Sequence, residues 1–335
     1  MNLNQFKKAN IGIIGCGYWA TNIIKSLEEE NFKNVFVYDA NQKQLNTVKS
    51  KFKYIKICST LNELLSKSLY AALLVTPPST HYKIGDKILN KGINLFIEKP
   101  VTLSSKHLKK LIITSNKQKC ILFSGYIYNF NVYIKYIENI LRQKKLGKIK
   151  YIYFERSNLG PIRNDASCIW DLASHDISTS MLFFKKKPKV SFVKRYNFLK
   201  NNISDISLVG LNFGKIKVEI KSSWLNPEKI RKIVIIGEKK MLQFDEMEIN
   251  NKIKIYNKYA SYPDIKKFDK SFFTPKANIY LGKTFKPKIK FISPMKNELI
   301  NFFTSIKKKC KPGSSANHAL KVIKILEQID KKKTN

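Results

Sequence analysis

Three groups of side chains in this sequence have the types and spacing that chemistry requires. The first is a glycine turn, Gly15-Cys16-Gly17-Tyr18-Trp19-Ala20, placed after the apolar run Ile11–Ile14 and before the helix-like Thr21–Leu27. Gly15 permits a tight turn, Gly17 lets a pyrophosphate approach bare backbone, and Ala20 is small enough for helix and strand to pack closely. Phosphates at a helix N-terminus meet unpaired N–H groups and the positive end of the dipole. Asp39 lies 22 residues beyond Gly17, at the end of a second strand candidate, Asn34–Asp39. There a carboxylate accepts hydrogen bonds from an adenosine ribose diol and repels a 2′-phosphate, so NAD is expected and NADP is disfavoured. The second group is Glu98-Lys99-Pro100, and the third is Trp170-Asp171-Leu172-Ala173-Ser174-His175-Asp176, in which Asp171 and His175 share a face if the segment is helical.

The elements that must carry these groups fall into two patterns. Up to about residue 124, short strands and helices alternate: Ile11–Ile14, Thr21–Glu30, Val35–Asp39, Leu61–Leu65, Ala71–Val75, Tyr82–Leu89, Asn94–Ile97, Ser105–Asn116 and Cys120–Ser124. Alternation with short loops predicts an α/β domain, a doubly wound parallel sheet of Rossmann type over residues 1–124. Glu98-Lys99-Pro100 then falls at the carboxyl edge of that sheet, where open α/β sheets bind ligands. Beyond Tyr126 one helix, Val132–Lys144, is followed by period-two segments at 148–155, 190–198, 207–213, 217–223, 232–236, 241–244 and 252–256. These predict an α+β domain over residues 125–335, a mostly antiparallel open sheet with helices on one face. Two terminal helices are expected, one opened by Ser293-Pro294 with Leu299, Ile300, Phe303 and Ile306 inward, the other from about Ser315 with Leu320, Ile323 and Leu326 inward. Residues 257–290 have weak periodicity and read as a long loop.

Composition narrows the partners. The chain of 335 residues, 43% of them hydrophobic, is long enough for two cores. No apolar run approaches the ~20 residues of a membrane span, and the stretch before Cys16 is too short for a signal core, so a cytoplasmic protein without a membrane partner is expected. Cys16, Cys58, Cys120, Cys168 and Cys310 show no C-x-x-C pair and no neighbouring histidines, which argues against a metal or a disulfide framework. The net charge of +39 suggests an anionic partner, yet only five of the 63 basic residues are arginines. Bidentate readers of bases and phosphates are usually arginine, so nucleic acid is not expected.

The glycine turn, Thr76-Pro77-Pro78-Ser79-Thr80-His81, Glu98-Lys99-Pro100, Leu146-Gly147-Lys148-Ile149, Trp170-Asp171-Leu172 with His175-Asp176, Ser223-Trp224-Leu225 and the tail from Pro294 to Leu326 together resemble the Gfo/Idh/MocA family of sugar and cyclitol oxidoreductases. The resemblance covers nearly the whole chain. Residues 156–176 and the Ser223-Trp224-Leu225 strand are most similar to the branch acting on nucleotide-linked N-acetyl amino sugars for surface polysaccharides. Ala173-Ser174 replaces the family's more usual Gly-Pro, and Tyr126 stands where many members have histidine or phenylalanine; both bear on substrate choice.

The resemblance implies hydride transfer between a secondary hydroxyl and nicotinamide, with Lys99, His175 and Asp171 catalytic. Imidazole is suited to taking the hydroxyl proton near neutral pH, and an ammonium polarises the oxygen; either Lys99 or His175 can carry the transferred proton. Gly15, Gly17, Tyr18, Trp19, Asp39, Thr76, Pro77, His81, Glu98 and Lys99 would hold the cofactor. Lys99, Tyr126, Arg163, Asp171 and His175 would hold the substrate, and a larger, basic pocket reached by Arg163 or Arg156 would favour a nucleotide-linked one over a free sugar. The Lys99-Pro100 peptide is expected to be cis, as family members often hold it, and the open sheet face implies a homodimer or homotetramer. The alternatives are a free sugar or inositol dehydrogenase, or a dinucleotide-binding sensor without turnover.

Overall fold

The computed structural model describes residues 3–262 and 276–333. It contains two compact units, Met1–Asn131 with Ile292–Glu327, and Val132–Phe291 with Gln328–Asn335. The first boundary falls a few residues beyond the expected 124, and the larger difference is that the tail returns to the first unit.

In the first unit β1 (Asn10–Ile14), β2 (Asn34–Tyr38), β3 (Lys56–Ile57), β4 (Ala71–Leu74), β5 (Asn94–Glu98) and β6 (Leu122–Gly125) form one sheet in the order β3-β2-β1-β4-β5-β6. Every neighbouring pair is parallel, which gives the doubly wound Rossmann order with its switch between β1 and β4. The connections carry α1 (Tyr18–Glu29), α2 (Gln42–Lys51), α3 (Leu61–Leu65), α4 (Pro78–Asn90) and α5 (Ser105–Lys117). α1 forms because Ala20, Ile23, Ile24 and Leu27 recur at helical spacing and are buried. α4 opens with Pro78 at its first turn, where a missing N–H costs nothing. α2 is absent from the sequence expectation: it buries only Leu45 and Val48, and Asn41 caps it by accepting from the Lys43 N–H at 3.0 Å.

The second unit begins with α6 (Val132–Arg142), β7 (Ile149–Ser157), a π-helical turn over Ile169–Ala173 and α7 (Ser174–Phe184). It continues through β8 (Lys189–Tyr196), β9 (Ile206–Phe213), β10 (Ile216–Ser223), β11 (Ile230–Gly237), β12 (Met241–Asp245), β13 (Ile253–Ser261) and β14 (Asn278–Phe285). The eight strands run β14-β13-β12-β11-β7-β10-β9-β8, antiparallel except for the β7–β10 pair. Ile152, Phe154, Val218, Ile220, Val209 and Leu211 make its buried face. On the other face Tyr151 donates to Glu219 and Lys221 pairs with Glu155. The expected loop at 257–290 is corrected: β13 runs on to Ser261 and β14 adds an edge strand, while 263–275 lie outside the described residues. β14 escaped notice because an exposed edge strand has no buried face to impose alternation.

α8 (Pro294–Lys308) and α9 (Ala316–Lys331) follow, and α8 closes the core of the first unit. Phe303 stacks on Phe6 and packs against Phe32, in both cases at 5.4 Å between ring centroids. Phe302 packs against Phe96 at 5.8 Å and Phe123 at 5.3 Å. Ile300 and Leu320, expected inward, are only partly buried; Phe302, Val322 and Ile325 take the inward positions.

Candidate active site

The glycine turn leaves the carboxyl end of β1 at the switch point. Gly15 has φ +99°, and a Cβ there would lie 2.8 Å from the Thr76 nitrogen and the Val75 carbonyl carbon, so no other residue fits. A Cβ on Gly17 would meet nothing within 4 Å. Gly17 is also the N-cap of α1 and supplies no side-chain cap. The first amides of α1 therefore open onto free space, the cradle that a pyrophosphate requires, and the residues fit a dinucleotide. Asp39 locks this turn by accepting from the Cys16 N–H through Oδ2 and from the Asn41 N–H through Oδ1, both at 2.7 Å. Each oxygen retains a lone pair for a ribose hydroxyl. Cys16 is buried, and burial first and Asp39 second push its thiol up to about 12, so it is a packing residue. Tyr18 stands on the first turn of α1 with 84% exposure.

Asp39→Ala is expected to lower kcat/KM for NAD by roughly 10- to 100-fold, the loss of hydrogen bonds to a charged acceptor, and to lower it less for NADP. Initial rates with both cofactors check this; an unchanged preference removes Asp39 from cofactor choice.

A second loop follows β4. Thr76 and Thr80 share a hydroxyl hydrogen bond at 2.7 Å across the start of α4, with Pro77 as its N-cap. His81 is fully buried, its Nε2 2.7 Å from the Thr76 carbonyl oxygen and its Nδ1 3.1 Å from that of Pro100, so it ties this loop to the turn after β5. The Lys99-Pro100 peptide is cis. Glu98, the last residue of β5, accepts from the Lys99 N–H at 3.0 Å and from the Trp19 indole N–H. Trp19 thus binds the glycine-turn helix to the lysine turn. Glu98 is buried, and desolvation raises its pKa to about 7 against the opposing pull of Lys99 and Trp19. Tyr126 is fully buried with its ring edge-on to His318, and burial, then Glu98, raise its hydroxyl pKa.

In the second unit the motif Trp170–Asp176 is not one regular helix. Asp171 lies in the π-helical turn and His175 in the first turn of α7; π turns inside helices often mark functional sites. Asp171 accepts from the indole N–H of buried Trp224 at 3.2 Å, and its Oδ1 lies 3.9 Å from Arg163 Nη1. Arg163 is mainly engaged elsewhere: Nε and Nη2 each donate to Asp165 at 2.9 Å, and this pairing holds Asp165 below the usual carboxylate range. Arg156 is occupied within the second unit. Its guanidinium is buried and bidentate on Asp176, at 3.1 and 2.7 Å. Asp176 is accordingly a structural partner.

A residue the sequence reading passed over is Glu298, which is fully buried in α8. Its signal was a carboxyl inside an apolar stripe, adjoining Leu299 and one turn before Phe302.

The parallel sheet, the glycine cradle and the acid at the second strand end define a dinucleotide-binding domain of Rossmann type. Residues 9–126 match the Gfo/Idh/MocA family model, described as an oxidoreductase family with an NAD-binding Rossmann fold. It is similar to UDP-N-acetylglucosamine 3-dehydrogenase of Acidithiobacillus ferrooxidans, with 25% identity over 190 residues, 56% of this chain and 54% of that protein. The match therefore spans about half of that relative's length. A solved structure of the same protein has TM-score 0.76 at 19% identity and covers 96% of each chain. GenD2 from gentamicin A biosynthesis, in complex with NAD, has TM-score 0.75 at 15% identity, covering 96% of this chain and 92% of that one. An aldose-aldose oxidoreductase from Caulobacter crescentus, complexed with glycerol, has TM-score 0.78 at 14% identity and covers 96% of each chain. At these identities the structural likeness is one of fold. Among the described residues no helix is long and apolar enough to cross a membrane.

Proposed function

We propose that this chain oxidises or reduces a secondary hydroxyl of a nucleotide-linked sugar, of the UDP-N-acetyl amino sugar type, in surface polysaccharide synthesis. The observation that carries the reading is the presence of a lysine turn braced by Glu98, Trp19 and His81, together with Asp171 held on a π turn by Trp224 and His175 in the first turn of α7. NAD, held by the Gly15–Gly17 turn and Asp39, supplies the hydride acceptor when bound. Lys99 polarises the hydroxyl oxygen, His175 takes its proton, and Asp171 orients the sugar. Arg163 meets the substrate only by exchanging part of its Asp165 pairing. The outer face of the eight-stranded sheet, with exposed Ile279, Leu281 and Phe285 on β14, is proposed to meet a second copy in a homodimer or homotetramer.

One observation favours a free sugar instead: with Arg156 and Arg163 engaged by aspartates, few arginine donors are left for a diphosphate. The test is NADH formation by the purified protein with UDP-N-acetylglucosamine and its epimers against free aldoses and inositols. The proposal expects the UDP-linked compounds to be preferred by at least roughly 10² in kcat/KM. Preference for free sugars establishes the rival, and NAD binding with no turnover on any of them indicates a sensor.

A further inference from the structure

Glu298 is a buried carboxyl whose two oxygens meet no hydrogen-bond partner among the described residues. An ionised carboxylate in such a place is strongly disfavoured, whereas a protonated one needs a single acceptor. The packing identifies that acceptor. Phe302 lies one turn beyond Glu298 on α8, and Phe96 lies two residues before Glu98 on β5, so each pair shares a face. The Phe96 and Phe302 rings meet edge to face at 5.8 Å, so these two faces pack together, and the charge of Glu98 is felt at Glu298. Gly125, opposite Glu98 in the sheet, leaves the carboxyl its room: a Cβ there would lie 2.8 Å from Glu98 Oε1.

We propose that Glu298 is a neutral carboxylic acid whose proton is held on the Glu98 carboxylate, directly or through one water, and that it acts as a positioning residue for Lys99. The pair carries one proton and one negative charge. That charge keeps Glu98 bonded to both the Lys99 amide and the Trp19 indole, so the lysine turn stays fixed to the glycine-turn helix. Around the pair stand Lys99 after β5, Tyr126 after β6, and His318 of α9 against the Tyr126 ring. The mutual repulsion of Glu98 and Glu298 adds to burial in holding Glu298 well above the usual carboxyl range. Carboxylic acids kept neutral at physiological pH by apolar surroundings are known to serve as hydrogen-bond donors in enzymes.

The functional consequence rests on the role proposed for Lys99; the protonation itself does not. Infrared spectroscopy of the free protein at about pH 8, where exposed carboxyls are ionised, is expected to show a protonated carboxyl C=O band that Glu298→Gln removes. Absence of the band, or its survival in Glu298→Gln, overturns the proposal whether or not any substrate has been found. In turnover, Glu298→Gln, which keeps a donor, should retain the wild-type acid limb of kcat. Glu298→Leu, which removes it, should move the limb up by about one pH unit and lower kcat about tenfold at neutral pH. A limb that Gln shifts downward would mean that Glu298 is ionised, and one that Leu leaves in place would mean that it positions nothing; either overturns the proposal. A wild-type protein inactive on every sugar refutes the dehydrogenase reading and leaves the infrared band to decide this one.

Discussion

Alanine at Lys99 or at His175 is expected to lower kcat by roughly 10²–10⁴, while NAD affinity, followed by NADH fluorescence, stays nearly intact. Both groups are proposed to act on one hydroxyl and one proton, so the double variant should cost far less than the product of the two single losses. Losses that multiply would mean two independent tasks. A His175→Ala protein with full activity would remove the histidine from the mechanism. Asp171, held by Trp224 at 3.2 Å, is the orienting group in this scheme, so Asp171→Asn should raise KM for the sugar more than it lowers kcat.

The second large effect concerns stability. Arg156→Ala is expected to destabilise the protein by about 3–5 kcal/mol, because it strands the Asp176 carboxylate in the interior without its charge partner. The urea midpoint measures this loss. Replacing both partners by apolar residues, Arg156→Met with Asp176→Leu, should recover much of it, since desolvating the pair costs nearly as much as its attraction returns. If Arg156→Ala instead left the midpoint unchanged and raised KM for a nucleotide sugar, the buried pairing would not be its role and the guanidinium would belong to the substrate.

What could be read from sequence was governed by how strictly a position is constrained. Gly15 is legible because only glycine tolerates both its positive φ and the contact with Val75 and Thr76. Asp39 is legible because the strand that precedes it alternates regularly between half-buried and buried positions. The alternating face of β7 and β10 announced the second sheet. α2 was not legible, since a polar helix held by one cap and two buried residues has almost no periodic signal. Arg156 was ambiguous, because a lone arginine looks the same in sequence whether it meets a phosphate or an aspartate twenty residues away. Glu298 was passed over for the converse reason: polar side chains are expected outside, and both Glu298 and Tyr126 are buried, each raised in pKa by burial and then by Glu98. The return of α8 to the first unit is a long-range event, decided by Phe302 and Phe303 finding Phe6, Phe32, Phe96 and Phe123, and no local pattern encodes it.

That return sets an order on biosynthesis. A ribosome delivers β1–β6 first, then every strand of the eight-stranded sheet, and only afterwards Phe302 and Phe303. The aromatic surface of the first-made domain therefore stays uncovered while the later domain is translated, and the nascent chain carries a sticky, half-finished nucleotide domain through that interval. Ribosome-associated chaperones would find their binding surface here, and a stop codon before α8 would release a chain with that surface permanently bare.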